Sequence, residues 1–585
     1  MTVRPLEGVE LARARPRTGR RSPLARRREL MAYAFLLPAV LLLAVFTLVP
    51  FVQALVMSLQ QWDGVSTSAP FVGLSNYRFV LHDMIFWSSM RNVLIFGLVG
   101  FVVGNALSLG MAIAVNRVRR GKAFFRTAFY LPGVFSVVVI GMMFSWLLAP
   151  NAGILNRLLG AVGLSGLQHN WLEDPGTALP TVAAVFLWYH WGFGFILYLA
   201  GLQDVPVELY EAASLDGARG WAKFRYVTWP ELLPVTAIVS LLTLLGALQV
   251  FRHRAGADQR WTGPSHNGAD AAHLSGSVHQ STLRVGGGDV GDLRWRAGPP
   301  RDAASLAVPE AEMRVLAGRG ALYGLLVVAA IGALFPMVWL LVGSLQTSSE
   351  LYRGKDLLPA KPQWSNYVTA WTDGDLGTYL PNSVIYTVSA VAGILLVSSM
   401  AGYVLARIEF RGKSAVTFGL LAVMIIPAPA SFIAQYKLMV NLGLTNSRLG
   451  YVLILISAGI PISSLIMRGF FANLPKDLEE AAAIDGSSAF NTFARVILPL
   501  ARPGLVAVAV IQGLSVWNEY LLALVLFDDD TLMPVQRGLM NFVSAETPVQ
   551  NILLATTAIS VLPVVVFYVL AQRQVVQGIS SGAVK

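Results

Sequence analysis

Two stretches of the chain carry its most patterned carboxylates. The first reads Pro206-Val-Glu-Leu-Tyr-Glu-Ala-Ala-Ser-Leu-Asp-Gly217, then nine residues, then Val227-Thr-Trp-Pro230. The second reads Pro475-Lys-Asp-Leu-Glu-Glu-Ala-Ala-Ala-Ile-Asp-Gly486, then nine residues, then Val496-Ile-Leu-Pro499. Proline at a helix start and glycine just past its end is the expected asymmetry. Each stretch therefore predicts a short helix, a glycine turn, a second short helix and a proline leading into an apolar run. Ser487 or Ser488 can cap the second helix of the later copy. This chemistry suits docking rather than catalysis. Ala212, Ala213, Ala481 and Ala482 let another protein's surface come close, and Glu211 and Glu480 offer carboxylates to basic groups. Asp216 and Asp485 lead into Gly217 and Gly486, which permit the turn.

Two further groups stand inside apolar runs, where an ionisable residue is a functional candidate by default. Glu519 lies in Trp517-Asn518-Glu519-Tyr520, and His190 follows Trp188 and Tyr189. Aromatic faces beside amide and carboxylate acceptors suit a polyol. The plainer alternatives are a helix end at which Glu519 meets water, and a packed His190 bonded to a neighbouring helix. Gln249 and Phe251 hold, in the first copy, the places of Asn518 and Tyr520. Gly412-Lys413-Ser414 resembles the end of a nucleotide-binding P-loop, but Arg407 occupies the place of the required first glycine. The chain has no cysteine, which removes thiolate chemistry and disulfides. No catalytic residue, resident cofactor, metal site or nucleic-acid partner is expected.

The elements that must position these groups are membrane spans. Of the 585 residues, 55% are hydrophobic and 13% charged, against about 25% charged in soluble domains. Eleven runs reach the ~20 residues that a bilayer core demands: 32–57, 93–116, 127–149, 178–201, 232–251, 321–345, 382–406, 415–434, 449–467, 504–526 and 551–571. None contains Lys, Arg or Asp. The expected fold is an all-α integral membrane protein of eleven helices. Residues 1–30 form a basic tail with nine Arg, which predicts a cytoplasmic, solvated arm. By alternation, Arg117, Arg119, Arg120 and Lys122 then lie inside, as do both Glu-Ala-Ala loops. The net charge of +11 needs no nucleic acid to explain it.

The chain also repeats itself in parallel. Ser75-Asn76-Tyr77 recurs as Ser365-Asn366-Tyr367, Asn92 as Asn382 and Arg117 as Arg407, all 290 positions later. The two loops recur at an offset of 269. Parallel repeats are a common transporter plan, with the substrate path between the halves. The first half (31–251) has five spans and the second (313–585) has six. Between them, residues 252–302 hold nine Gly, seven Arg and four His, with 14 hydrophobic residues in 51. Such a tract cannot cross hydrocarbon, yet alternation requires a crossing there. Three explanations stand: a flexible linker, a His-rich metal loop, or sequence translated out of frame. The last accounts for the missing span and for the return of ordinary membrane sequence near Met313. Residues 252–312 are therefore expected to be irregular.

The two loops resemble the Glu-Ala-Ala loop of ATP-binding-cassette importer permeases, with Trp229 in the first copy as the one departure from the pattern. Residues 313–585 resemble the second permease of carbohydrate importers of the maltose and glycerol-3-phosphate type. The matching points are Trp364-Ser-Asn-Tyr367, Asn382-Ser383, Tyr403-Val-Leu-Ala-Arg407, Trp517-Asn-Glu-Tyr520 and the tail Gly578-Ile-Ser-Ser-Gly-Ala-Val584. Residues 31–251 resemble the partner permease, up to Leu248-Gln-Val-Phe251. The resemblance implies a multi-pass protein of the cytoplasmic membrane, with two permeases joined in one chain and a carbohydrate substrate. It also implies two peripheral ATP-binding subunits and an extracellular solute-binding protein. The competing class, an ion-coupled secondary transporter, would be expected to place ionisable groups at the midplane, where only His190 stands, and has no evident use for the duplicated loop.

Overall fold

A computed structural model describes residues 23–583 apart from 63–68, 151–152, 249–309, 354–357 and 543–548. The basic tail up to residue 22, Gln249, Phe251 and residues 252–309 lie outside the described residues. The described chain is helical, and its one extended pairing among those residues is the bridge between Gln60 and Phe71. Among the described residues eight helices are long and apolar enough to span a membrane: Arg28–Met57, Met84–Arg117, Pro175–Asp204, Trp221–Leu244, Arg319–Ser344, Leu376–Arg407, Arg448–Asn473 and Gln550–Ala571. Two bent pairs raise the count to ten at most, by length and composition.

Three of the eleven expected spans are not continuous helices. The run 127–149 breaks into Lys122–Val134 and Val137–Leu147, which meet at 97°. Pro132 lies in the tight turn there, and Ser136 restarts the helix by accepting from the Val139 N–H at 3.2 Å. The run 415–434 stops at Ile425, ahead of Pro427, and restarts at Phe432. Proline supplies no N–H to continue the ladder. The run 504–526 ends at Trp517; a separate short helix, Leu521–Leu526, follows the break at Asn518–Tyr520. The helix Glu310–Ser344 begins inside the stretch expected to be irregular, so residues 310–312 are helical. Glu-Ala-Glu-Met is a run of strong helix formers.

The repeat is geometric as well as textual. Asn76 Nδ2 donates to the carbonyls of Ser58 and Gln60, both at 2.9 Å. Asn366 Nδ2 does the same to Ser344 and Gln346, at 2.8 and 2.9 Å. In each half Tyr77 or Tyr367 then shares a 2.7 Å hydroxyl bond with Ser58 or Ser344. The Ser-Asn-Tyr motif thus satisfies the free carbonyls that end the first span of its half. Asn366 is buried, accepts from Asn551 at 3.0 Å, and cannot be replaced by water; Asn76 is exposed. Asn366→Ala is expected to cost about 1–3 kcal/mol, against under ~1 for Asn76→Ala. Apparent Tm of the two purified variants checks the ranking.

The halves interlock by exchanging their first spans. One apolar core joins Phe35, Leu36 and Phe46 of the first half to Tyr403, Ile454 and Phe493 of the second. Another joins Phe129, Phe195 and Val239 to Leu326, Val510 and Tyr568. At the end that carries the two loops the exchange is reciprocal. Tyr33 Oη donates to the Arg411 carbonyl at 3.2 Å, and Tyr323 Oη to the Arg120 carbonyl at 3.3 Å. Met84–Arg117 and Pro175–Asp204 run side by side in one direction, since a Cβ at Gly100 would meet Phe186 and Ser108 bonds Trp191. Arg117 therefore stands beside the first loop, and Arg407 beside the second. Both loops lie at one end, so the halves are parallel.

Candidate functional site: the paired loops and the junction between halves

The two loops fold alike from their sequence punctuation. Val207–Leu215 starts after Pro206 and Asp477–Ile484 after Lys476. Each closes with the same pair of bonds. In the first loop Asp216 N–H reaches the Ala212 carbonyl (3.1 Å) and Ala218 N–H the Ala213 carbonyl (2.9 Å). In the second, Asp485 N–H reaches Ala481 (3.0 Å) and Ser487 N–H reaches Ala482 (2.9 Å). This six-to-one closure is the Schellman arrangement, which needs a left-handed residue; Gly217 and Gly486 supply φ of 78° and 76°. Ser488, of the two candidates, is the cap: its Oγ accepts from the Asn491 N–H at 3.3 Å.

Beyond the glycine turn the two copies diverge. In the first half Trp221–Leu244 is one span, with Pro230 in the first turn of its Trp229–Leu248 portion. In the second, Pro499 sits in Leu498–Leu500, and the chain bends by 75° before Arg502–Trp517.

Glu211, Ala212, Glu480 and Ala481 are exposed, while Ala213 and Ala482 are half-buried against the loop. Apolar side chains that sequence reasoning passed over share this surface. Leu215 is 89% exposed and Ile484 86%, each just ahead of Asp-Gly, and Trp221 and Phe490 stand out beyond the turn. Their signal was available: an aliphatic residue at the same register in both copies, on a helix outside any span. Apolar side chains ringed by carboxylates make a surface suited to binding a protein.

The intramembrane candidates divide. The tight turn Leu131–Val134 lies between the halves. Its Val134 carbonyl accepts from Asn518 Nδ2 at 2.9 Å, and a Cβ on Gly133 would lie 3.3 Å from the Tyr189 carbonyl. Trp188, Tyr189, Trp517 and Asn518 thus converge on the junction. Trp517 is buried there and donates to the Ser560 carbonyl at 3.2 Å, and Trp188 packs against the Phe144 ring at 5.0 Å. The cavity at this place, lined by Val134, Ser136, Trp517, Asn518, Gln536 and Ser560, is about 10 Å³. A small-molecule pocket takes about 300–1,000 Å³, so this cavity is too small for a sugar.

His190 turns away from the junction. It lies over Phe186 at 4.1 Å and against Gly246, where a Cβ would come within 2.7 Å of Nε2. Glu519 Oε1 accepts from the Leu522 N–H at 2.9 Å, starting the short helix after the break, and Tyr520 is buried. Among the described residues no cluster of three His, Cys, Asp or Glu is placed to hold a metal ion.

The chain matches the family of binding-protein-dependent transport system inner membrane components twice, over residues 105–251 and 365–581. It belongs to that family. The permease is therefore a multi-pass protein of the inner membrane, built from two permease repeats in one chain. It is 34% identical over 264 residues to the diacetylchitobiose uptake system permease protein NgcG of Streptomyces coelicolor, covering 44% of this chain and 87% of that one. The lactose transport system permease protein LacF of Rhizobium radiobacter is 33% identical over 235 residues, covering 40% and 78%. Each relative is thus nearly spanned by less than half of this permease. Among solved structures, a bacterial ABC transporter involved in import of the acidic polysaccharide alginate gives a TM-score of 0.41 at 24% identity, covering 46% of this chain and 98% of that chain.

Proposed function

We propose that this permease forms the pathway of an ATP-driven importer for a carbohydrate or related polyol. The observation that carries the reading is the pair of exposed helix–glycine–helix loops at one end of the bundle, identical in closure and each offering exposed carboxylates around an aliphatic residue. Two peripheral ATP-binding subunits would dock there, one per loop, and an extracellular solute-binding protein would deliver substrate at the far end. Names among the relatives support the substrate class: one is a diacetylchitobiose uptake system permease and another a lactose transport system permease. Trp188, Tyr189, Trp517 and Asn518 then belong to the path between the halves. ATP hydrolysis is assigned to the partner subunits, and the permease itself is no enzyme.

The halves are residues 31–251 and 313–585, with an out-of-frame tract between them. In the second half Asn382 Nδ2 donates to the carbonyls of Thr531 (2.7 Å) and Met533 (3.1 Å), in the segment before the sixth span. Its repeat mate Asn92 has a buried Oδ1 without a partner, and the matching segment of the first copy falls in the Gly/Arg/His tract. Nucleotide sequence around codons 251–313, read in three frames, should reveal an apolar run of ~20 residues.

Uptake of radiolabelled oligosaccharide into host membrane vesicles tests the main reading. Import that requires internal ATP and survives a protonophore supports it; import that collapses with the proton gradient and ignores ATP points to the secondary-transporter class.

A further inference from the structure

Arg407 closes the helix Leu376–Arg407, and its side chain is 3% exposed. Its Nε lies 3.3 Å from Glu479 Oε1, an ion pair without hydrogen-bond geometry, and its Nη2 donates to the Leu474 carbonyl. Leu474 ends the helix Arg448–Asn473, and Glu479 sits in the first turn of Asp477–Ile484. One guanidinium therefore joins two spans and the Glu-Ala-Ala helix. A planar fork with several fixed donors suits this task, where a lysine's point charge does not. Tyr403, one turn earlier, packs on Phe493 at 5.1 Å and on Phe471 at 5.8 Å, and Phe35 of the exchanged first span adds a contact to Phe493 at 5.3 Å. The segments before and after Gly486 thus rest on one platform.

The first half is built otherwise. Arg117, the repeat mate of Arg407, is exposed, and the place of Glu479 is taken by Tyr210. The Tyr210 hydroxyl lies 3.0 Å from Thr228 Oγ1, in the helical segment Phe224–Thr228 near the start of the span Trp221–Leu244. Here the first helix is tied forward, to the span Trp221–Leu244 that follows it.

We propose that Arg407 is a positioning residue that locks the second Glu-Ala-Ala helix to the second and fourth spans of its half, so that the two loops transmit motion unequally. The second loop moves as a rigid extension of the bundle. The first moves with the single span Trp221–Leu244 that follows it. The proposal rests on the reading of both loops as ATPase docking elements.

The absence of cysteine allows a direct test on the full chain in lipid nanodiscs. Ala481→Cys or Ala212→Cys gives a single site for a nitroxide spin label, and both positions are exposed. Arg407→Gln and the milder Glu479→Gln should each at least double the mobile fraction at 481 and leave 212 unchanged. The exchange Arg407→Glu with Glu479→Arg keeps the ion pair but leaves the Leu474 carbonyl without its donor, so it should restore the immobile spectrum at 481 only in part. Tyr210→Phe should loosen 212 alone. An unaltered 481 spectrum in both single variants, or equal loosening of both labels, overturns the proposal. The docking reading fails separately, through normal ATPase association of Glu480→Lys, while the spectra still decide whether the lock exists.

Discussion

Gly486→Val is expected to abolish uptake while the protein remains inserted, and Glu480→Lys to lower affinity for the ATPase subunits by at least two orders of magnitude. The two variants fail for different reasons. At Gly486 a new Cβ would meet nothing within 4 Å, so crowding is not the cause. The cause is φ of 76°. An L-residue in the left-handed region costs about 1–2 kcal/mol, and a β-branched one is a genuine outlier there. Relieving that strain breaks the Ser487-to-Ala482 bond of 2.9 Å and re-aims the next helix. Glu480 is exposed, so its replacement leaves the fold alone. A lysine facing a basic partner surface sets like charges together, which costs several kcal/mol, and about 1.4 kcal/mol is tenfold in affinity. Pull-down of the ATPase subunits and vesicle uptake measure both. Wild-type association and uptake in the two variants would remove the docking role.

Local punctuation made the loops legible. Pro206, Gly217, Ser488 and Gly486 act through bonds spanning no more than five residues, and the folded loops obey them closely. The Ser-Asn-Tyr repeat was visible as text, but its work, holding carbonyls 16 to 22 positions earlier in the chain, was not. Breaks inside the spans were illegible for another reason. Hydropathy sums composition over a window and says nothing of the backbone. Non-helical backbone at membrane depth persists only where protein surrounds it. At Val134 that surrounding is Asn518, 384 positions away in the chain. Arg407 shows the same limit. Its recurrence 290 positions after Arg117 was visible, but nothing local announced that its side chain would be buried on Glu479.

The break at Asn518–Tyr520 carries the second large effect, and it separates two roles for Glu519. In the structure its carboxylate accepts from the Leu522 N–H at 2.9 Å. Glutamine keeps an acceptor oxygen of the same reach, so Glu519→Gln should hold uptake within about twofold, the loss being a charge-assisted bond replaced by a neutral one at a helix start. Glu519→Ala leaves that N–H without its acceptor inside the protein, where an unmet group costs about 1–3 kcal/mol. Uptake should fall roughly tenfold or more, at ~1.4 kcal/mol per decade. Asn518→Ala should fall as far, because it removes the 2.9 Å bond from Nδ2 to the Val134 carbonyl and frees the turn on the opposite half. A carboxylate that instead bound solute hydroxyls would give the reverse order for the isosteric change: Glu519→Gln would lose about a decade of affinity, and higher solute concentration would restore its rate. Solute-stimulated ATPase activity across a concentration series in reconstituted vesicles distinguishes the two patterns, since a defect in the helix start lowers the maximal rate at every concentration.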